Sequence, residues 1–339
     1  MKSFSIIIAF IAFFFFACNT EKEQKNESNI EETTESGLLK KRDSLSFEIR
    51  KNPEKDQLFS ERSSVYFMME MLDSAINDIE IANRLDPTKF GYLLRRADME
   101  ILRGQPEMAR TALTKILLKE PLHFEANLKM ANLSLILEEY SNARNILNMI
   151  LKAEPNNPQA LFMRSMISQF EGEYDSAVSD LMKAVTSDPN YYEAHNMLGL
   201  LKSYIRDDLA IDFFNNAINI KPNLIEPRYN LGYYYQSTGR GVKAIEQYKY
   251  ILQNIDSTAL DPMFNIGYIY QEFKEYQQSI KFFKLASLLY PNEARVFYQL
   301  GRSYENVGNR EEAIENYQRA VSIAPEMEIA FDALEKITR

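Results

Sequence analysis

Small residues recur along the chain at a fixed interval. Ala75, Ala109, Ala143, Ala177, Ala210, Ala244, Ser279 and Ala313 stand 34 residues apart, except for one step of 33 and one of 35. A second small column, Ser63, Ala97, Ala131, Ser165, Gly199, Gly232, Gly267 and Gly301, runs about 12 residues ahead of the first. Four residues after each member of the first column comes a large apolar side chain: Ile79, Leu113, Leu147, Leu181, Phe214, Tyr248, Phe283, Tyr317. Three further on come Ala82, Ile116, Ile150, Ala184, Ala217, Ile251, Ala286 and Ala320. Offsets of four and seven mark one face of a helix. Each unit is therefore expected to hold two helices joined by a tight turn, with a small residue on each so that the backbones approach closely. Proline punctuates the unit ends at Pro53, Pro87, Pro121, Pro155, Pro189, Pro222, Pro291 and Pro325, where a missing N–H and a fixed φ stop a helix. Asp256 stands where the pattern calls for another.

These columns resemble the tetratricopeptide repeat, which has a small residue at position 8, alanine at 20, a large apolar residue at 24, a small one at 27 and proline at 32. The resemblance covers residues 56 to 325. It implies an all-α fold, an α-solenoid of about eight helix pairs in a right-handed superhelix with capping helices at both ends. Repeats one to four depart at position 7, where Arg62, Arg96 and Arg164 replace the usual leucine. Repeat five lacks one residue between Gly199 and Ala210, which predicts a shorter turn. Repeats six to eight carry the fullest motif, in Leu231-Gly232-Tyr233, Ile266-Gly267-Tyr268 and Leu300-Gly301-Arg302. The extra residue near Asp256 predicts a wider joint between repeats six and seven.

The ends of the chain differ from the array. Lys2 and the apolar run Ile6–Ala17 are too short to span a bilayer and suit an export signal. Cys18, the only cysteine, follows at once. This resembles a bacterial lipoprotein signal, with Ala17 as the small residue before a lipidated cysteine. Phe15 and Phe16 depart from the usual motif, but Phe15 also suits an ordinary cleavage site poorly. Residues 18–37 read as a polar, disordered tether and 38–55 as an N-terminal capping helix with Leu38, Leu45 and Ile49 on one face. The eight repeats occupy 56–327, and 328–339 read as a C-terminal capping helix in which Phe331 and Leu334 face the stack. The expected location is the cell envelope, lipid-anchored to the outer membrane and facing the periplasm.

The formal charge is -9, from 39 Lys+Arg against 48 Asp+Glu, with Lys40-Lys41-Arg42 as the one basic cluster. Such a surface repels a phosphate backbone, which argues against nucleic acid. No phosphate loop, metal motif or nucleophile elbow occurs, so no enzyme activity, metal or cofactor is expected. Of the two histidines, His195 occupies a position 4 slot held elsewhere by Phe59, Leu93, Leu161 and Phe297, which makes it a core residue. His123 falls in a turn.

The resemblance places positions 2, 5, 9, 12 and 13 of each first helix in a concave groove that binds a protein or peptide partner. In the C-terminal half these positions and their neighbours supply Tyr229, Asn230, Tyr233, Gln236, Phe264, Asn265, Tyr268, Gln271, Tyr298 and Arg302. The N-terminal half supplies Leu94, Leu128, Asn132, Phe162 and Met166. Arg95, Lys129 and Asn132 are the nearest equivalents of the clamp by which some relatives grip acidic tails, but the other clamp positions are apolar. The expected function is a non-catalytic interaction adaptor or scaffold that captures an extended peptide or a helix; the rival is a fixed structural subunit of a larger envelope assembly.

Overall fold

The structure is a computed structural model and describes residues 34–339, so the apolar run, Cys18 and most of the expected tether lie outside the described residues. The described residues form eighteen α-helices and no strand. Their contacts divide the chain into two compact units, one ending at Asp180 and the other covering Leu181–Arg339. The first contains α1 (Glu35–Lys51), α2 (Asp56–Met68), α3 (Leu72–Leu85), α4 (Phe90–Leu102), α5 (Pro106–Leu117), α6 (Phe124–Ile136), α7 (Tyr140–Ala153) and α8 (Pro158–Phe170). The division falls within α9 (Tyr174–Ser187). The second unit continues with α10 (Tyr192–Tyr204), α11 (Leu209–Ile220), α12 (Ile225–Ser237), α13 (Gly241–Asn254), α14 (Leu260–Glu272), α15 (Tyr276–Leu289), α16 (Ala294–Asn306), α17 (Arg310–Ile323) and α18 (Glu328–Thr338). No described helix is long and apolar enough to cross a membrane.

Within each unit the helices pair in sequence order, α2 with α3 through α6 with α7, and α10 with α11 through α16 with α17. First helices of successive repeats also touch one another, α4 on α6 and α6 on α8, then α10 on α12 and α14 on α16, and Asn265 of α14 donates to the Tyr229 hydroxyl of α12 at 3.2 Å. Among the described residues no two second helices of successive repeats approach as closely as α4 and α6 do. In each unit the first helices therefore form the more closely packed face of the layer.

Eight turns inside the pairs share one backbone device. Glu70, Gly104, Glu138, Gly172, Arg206, Gly239, Lys274 and Gly308 all have positive φ, between 56° and 81°. The following N–H bonds back to the carbonyl five residues earlier, as in Gln105 to Glu100 at 2.8 Å, Asp207 to Lys202 at 2.9 Å and Glu275 to Tyr270 at 2.8 Å. This is the left-handed helix stop that glycine adopts without a Cβ clash. A lysine held there costs about 1 kcal/mol. Lys274→Gly is expected to raise stability by about that amount, and Gly239→Ala to lower it similarly, read from denaturant midpoints.

Because the turn is fixed by this bond, the missing residue of repeat five is not removed from it. Arg206 keeps the left-handed position, and α11 begins late and runs 12 residues against 14 in α13, α15 and α17. The expected shorter turn is thus corrected to a shorter second helix. The extra residue after α13 is absorbed by a five-residue link, residues 255–259, in which Asp256 accepts from the Thr258 N–H at 2.8 Å and its hydroxyl at 2.6 Å.

The two small columns meet inside each pair. A Cβ added at Gly199, Gly232, Gly267 or Gly301 would lie 2.5–2.9 Å from the ring of Phe214, Tyr248, Phe283 or Tyr317 respectively. Glycine stands at position 8 where the facing residue is aromatic, and serine or alanine stands there where it is aliphatic. The arginines at position 7 are half-buried and paired. Arg62 donates from Nε and Nη2 to Asp78 at 2.6 and 2.8 Å and from Nη1 to Ser46 at 3.1 Å. Arg164 repeats the pattern with Asp180 at 2.7 and 2.8 Å and Asn148 at 3.0 Å. Arg96 pairs with Glu80 at 2.7 Å and with buried Glu100 at 3.4 Å.

At the N-terminal end α1 starts at Glu35, ahead of the expected start at residue 38, because the Thr34 hydroxyl accepts from the Gly37 N–H at 3.1 Å and caps the helix. At the other end α18 buries Ala330 and packs Ala333, Leu334 and Ile337 against the unit's core. Phe331 is 54% exposed, which corrects its expected inward placement. The face at 330, 333, 334 and 337 follows the helical period, and residue 331 lies off it.

Candidate functional site, the first-helix face

In the C-terminal unit the position 5 rings turn inward onto their own second helices. Tyr229 meets Tyr248, Phe264 meets Phe283 and Tyr298 meets Tyr317, with centroids 5.6, 5.5 and 5.9 Å apart. These half-buried rings serve packing on one side and remain partly open on the other. The amides nearby hold repeats together. Asn265 Nδ2 donates to the hydroxyls of Tyr229 and Tyr248, both at 3.2 Å, and Tyr248 donates to Gln236 Oε1 at 3.1 Å. Gln271 Nε2 donates to the Gln299 carbonyl at 2.8 Å and to Ser303 at 2.7 Å. Arg302 lies over the Tyr298 ring and bonds Gln299 Oε1 at 3.3 Å. What stays open is Tyr233, which is 58% exposed; Tyr268, the other position 9 ring, is half-buried and packs against the core of the unit.

Position 2 adds residues that the sequence reading passed over, although the register that selects position 5 also selects them. Glu193, Glu226, Asp261 and Arg295 are the second residues of α10, α12, α14 and α16. Lys221 pairs with Glu193 at 3.0 Å, and Arg295 pairs with Asp261 at 2.9 Å while lying 4.9 Å over Phe264. Glu226 instead accepts from Asn196 Nδ2 at 2.9 Å and from the Tyr192 hydroxyl at 3.3 Å, and has no ion pair among the described residues. Burial pushes its carboxyl above the usual range, the Asn196 and Tyr192 donors offset this in part, and the charge of Glu193 adds to it.

In the N-terminal unit Leu94, Leu128 and Asn132 are at most 8% exposed, which leaves them little surface for a partner. Phe162 and Met166 are half-buried. The basic groups are engaged with their own neighbours. Lys129 bonds both Asp98 oxygens at 2.8 and 2.9 Å, and Arg95 bonds Ser60 and Ser64 hydroxyls at 2.8 Å. An acidic tail would have to displace Asp98 to reach Lys129.

The histidines have local structural roles. His123 Nδ1 accepts from the Ala126 N–H at 3.2 Å and caps α6. His195 is buried, and its Nε2 faces the Pro189 carbonyl at 3.0 Å, so that nitrogen carries the proton and donates. Burial holds its pKa below the ordinary 6.5. The unfolded chain then takes the proton more readily, so stability present above that value is lost as pH falls below it. His195→Phe is expected to shrink the loss of denaturant midpoint between about pH 7.5 and about pH 5. Among the described residues no three His, Cys, Asp or Glu side chains cluster as metal ligands.

The tetratricopeptide repeat family model matches residues 158–191, 260–293 and 294–327, which are repeats four, seven and eight of the sequence register. The Fis1 C-terminal tetratricopeptide repeat model matches 134–169, taking a second helix with the next first helix. No curated protein is significantly similar in sequence. Among solved structures, a chain of the APC/C hetero-tetramer Cut9–Hcn1 is 18% identical, with 91% of this chain and 60% of that chain covered and a TM-score of 0.50. The present chain thus spans about 60% of the length of that relative. A tetratricopeptide repeat protein from Parabacteroides merdae ATCC 43184 is 15% identical, with 74% and 99% covered and a TM-score of 0.48. YrrB, described as a tetratricopeptide repeat protein with an unusual peptide-binding site, is 18% identical, with 56% and 97% covered and a TM-score of 0.48. The chain carries tetratricopeptide repeats on an all-α solenoid fold.

Proposed function

We propose that this protein is a non-catalytic interaction adaptor that captures an extended peptide or a helix on the first-helix face of repeats six to eight. The supporting observation is Tyr233, a large ring left 58% exposed on a layer whose other aromatic and amide groups already have partners in the fold. Exposed tyrosine on a rigid helix gives contact area at low entropic cost. The lipoprotein-like signal supports attachment through Cys18, at the outer membrane and facing the periplasm. Labelling of the chain by a clickable palmitate in cells, lost in Cys18→Ser, is the result that attachment requires.

The test of the adaptor reading is the substitution Tyr233→Ala, keeping Phe264 and Tyr268 because both pack against the core of the unit. Co-purification of a partner from crosslinked cells should be lost while helicity and thermal midpoint stay unchanged. Retention of the partner in this variant, with loss on altering α18, would instead make the chain a fixed structural subunit held through its end.

A further inference from the structure

Three carboxylates occupy one register on successive first helices, and two of them have cations from this chain. An acidic residue in the first turn of a helix is ordinary, because it complements the helix dipole. Glu226 departs from that role: its oxygens accept from Asn196 and Tyr192 on the preceding first helix, not from its own N-terminal amides. Both partners are neutral donors, and a half-buried carboxylate supplied only with neutral donors remains under-compensated.

The direction of the hydrogen bonds narrows the ligand. Asn230 Nδ2 donates to Asn196 Oδ1 at 3.4 Å, and Asn196 Nδ2 donates to Glu226 Oε1 at 2.9 Å. The donors therefore run toward Glu226, and the acceptor left at the start of the chain is the carbonyl oxygen of Asn230. A hard metal ion requires six or more oxygen ligands, but the groups around this carboxylate present N–H and O–H. An ammonium or guanidinium needs only the remaining carboxylate lone pairs and an aromatic surface for its stem. Tyr229 and Tyr233 lie three and seven residues beyond Glu226, on the same face of α12.

We propose that Glu226 is the counter-charge for a lysine or arginine of the bound segment, whose stem lies along Tyr229 and Tyr233 and whose backbone N–H is received by Asn230. This rests on the adaptor reading above, and it names the chemistry of the partner. A neutral or acidic residue at the same place in the segment would leave the carboxylate without its cation.

The experiment presents the full chain and its Glu226→Gln variant with a phage-displayed library of linear peptides about twelve residues long. Glutamine keeps the shape and an oxygen acceptor and removes the charge, and equal helicity and thermal midpoint of the two proteins confirm the fold. Wild type should select peptides sharing a basic residue at one position, and the variant should lose that preference. In a synthesised winner, norleucine in place of the basic residue should weaken binding to wild type by about tenfold or more and leave binding to the variant unchanged. Selection of peptides without a shared basic residue, or the same basic preference and affinity in both proteins, overturns the assignment while the adaptor reading stands. Selection of no peptide by wild type overturns both.

Discussion

Asp78→Ala is expected to destabilise the N-terminal unit by about 3–5 kcal/mol, the usual cost of removing one partner from a buried ion pair. The Asp78 side chain is 2% exposed and that of Arg62 is 17% exposed, so the guanidinium cannot turn to water when its carboxylate is lost. It keeps the Ser46 hydroxyl at 3.1 Å and its place over the Phe59 and Tyr66 rings, none of which carries a compensating charge. The pair as a whole contributes far less than this figure, because two charges were desolvated to form it. Replacing both residues with the apolar pair found at the same positions of repeat seven, Arg62→Ile with Asp78→Phe, should therefore come within about 1 kcal/mol of wild type or exceed it. Urea midpoints of the two variants check the difference. A double variant as unstable as the single one would show that the arginine's own bonds stabilise the turn of the stack.

Gly232→Ala carries the second large effect. Its Cβ would lie 2.7 Å from Cε1 of Tyr248. That ring is fully buried and is fixed at its hydroxyl by Asn265 and Gln236. The ring cannot withdraw without breaking those bonds, so overpacking should cost about 1–3 kcal/mol. Combining the change with Tyr248→Leu imports the pairing of Ala97 with Leu113 from repeat two. The two changes should then be strongly non-additive, with the double variant more stable than the sum of the single losses by at least about 1 kcal/mol. Additive losses would mean that the small column does not set the distance between the helices.

Those two results bear on what the sequence discloses. The alternation of small and large positions was enough to place both helices of every repeat, because helix contacts of this kind repeat at fixed offsets. The rule linking Gly199 to Phe214 and Ala97 to Leu113 was also printed in the columns, but it joins two helices and becomes visible only when each glycine is seen against its ring. The arginines at position 7 stood out as departures. Their meaning depended on Asp78 and Asp180, 16 residues downstream, and on no local pattern. In repeat five the sequence shows that a residue is missing but not from where: the turn is held by Arg206 and its backbone bond, and the helix start gives way.

The first-helix face was legible in a similar way. Its tyrosines were found by register, but their inward stacking on second helices was not, since position 5 points at both the groove and the pair. Glu226 was missed because an acid at the second residue of a helix looks like ordinary end compensation. Its partner Asn196 lies 30 residues earlier, on a neighbouring helix, where sequence offers no cue.

The central claim, that the first-helix face and not the outer surface meets the partner, is tested most directly by photocrosslinking in intact cells. A benzophenone side chain at Tyr233 is compared with one at Leu288, which is 79% exposed on the second helix α15. The account predicts a discrete protein adduct from position 233 and none from position 288. An adduct from 288 with none from 233 would contradict it.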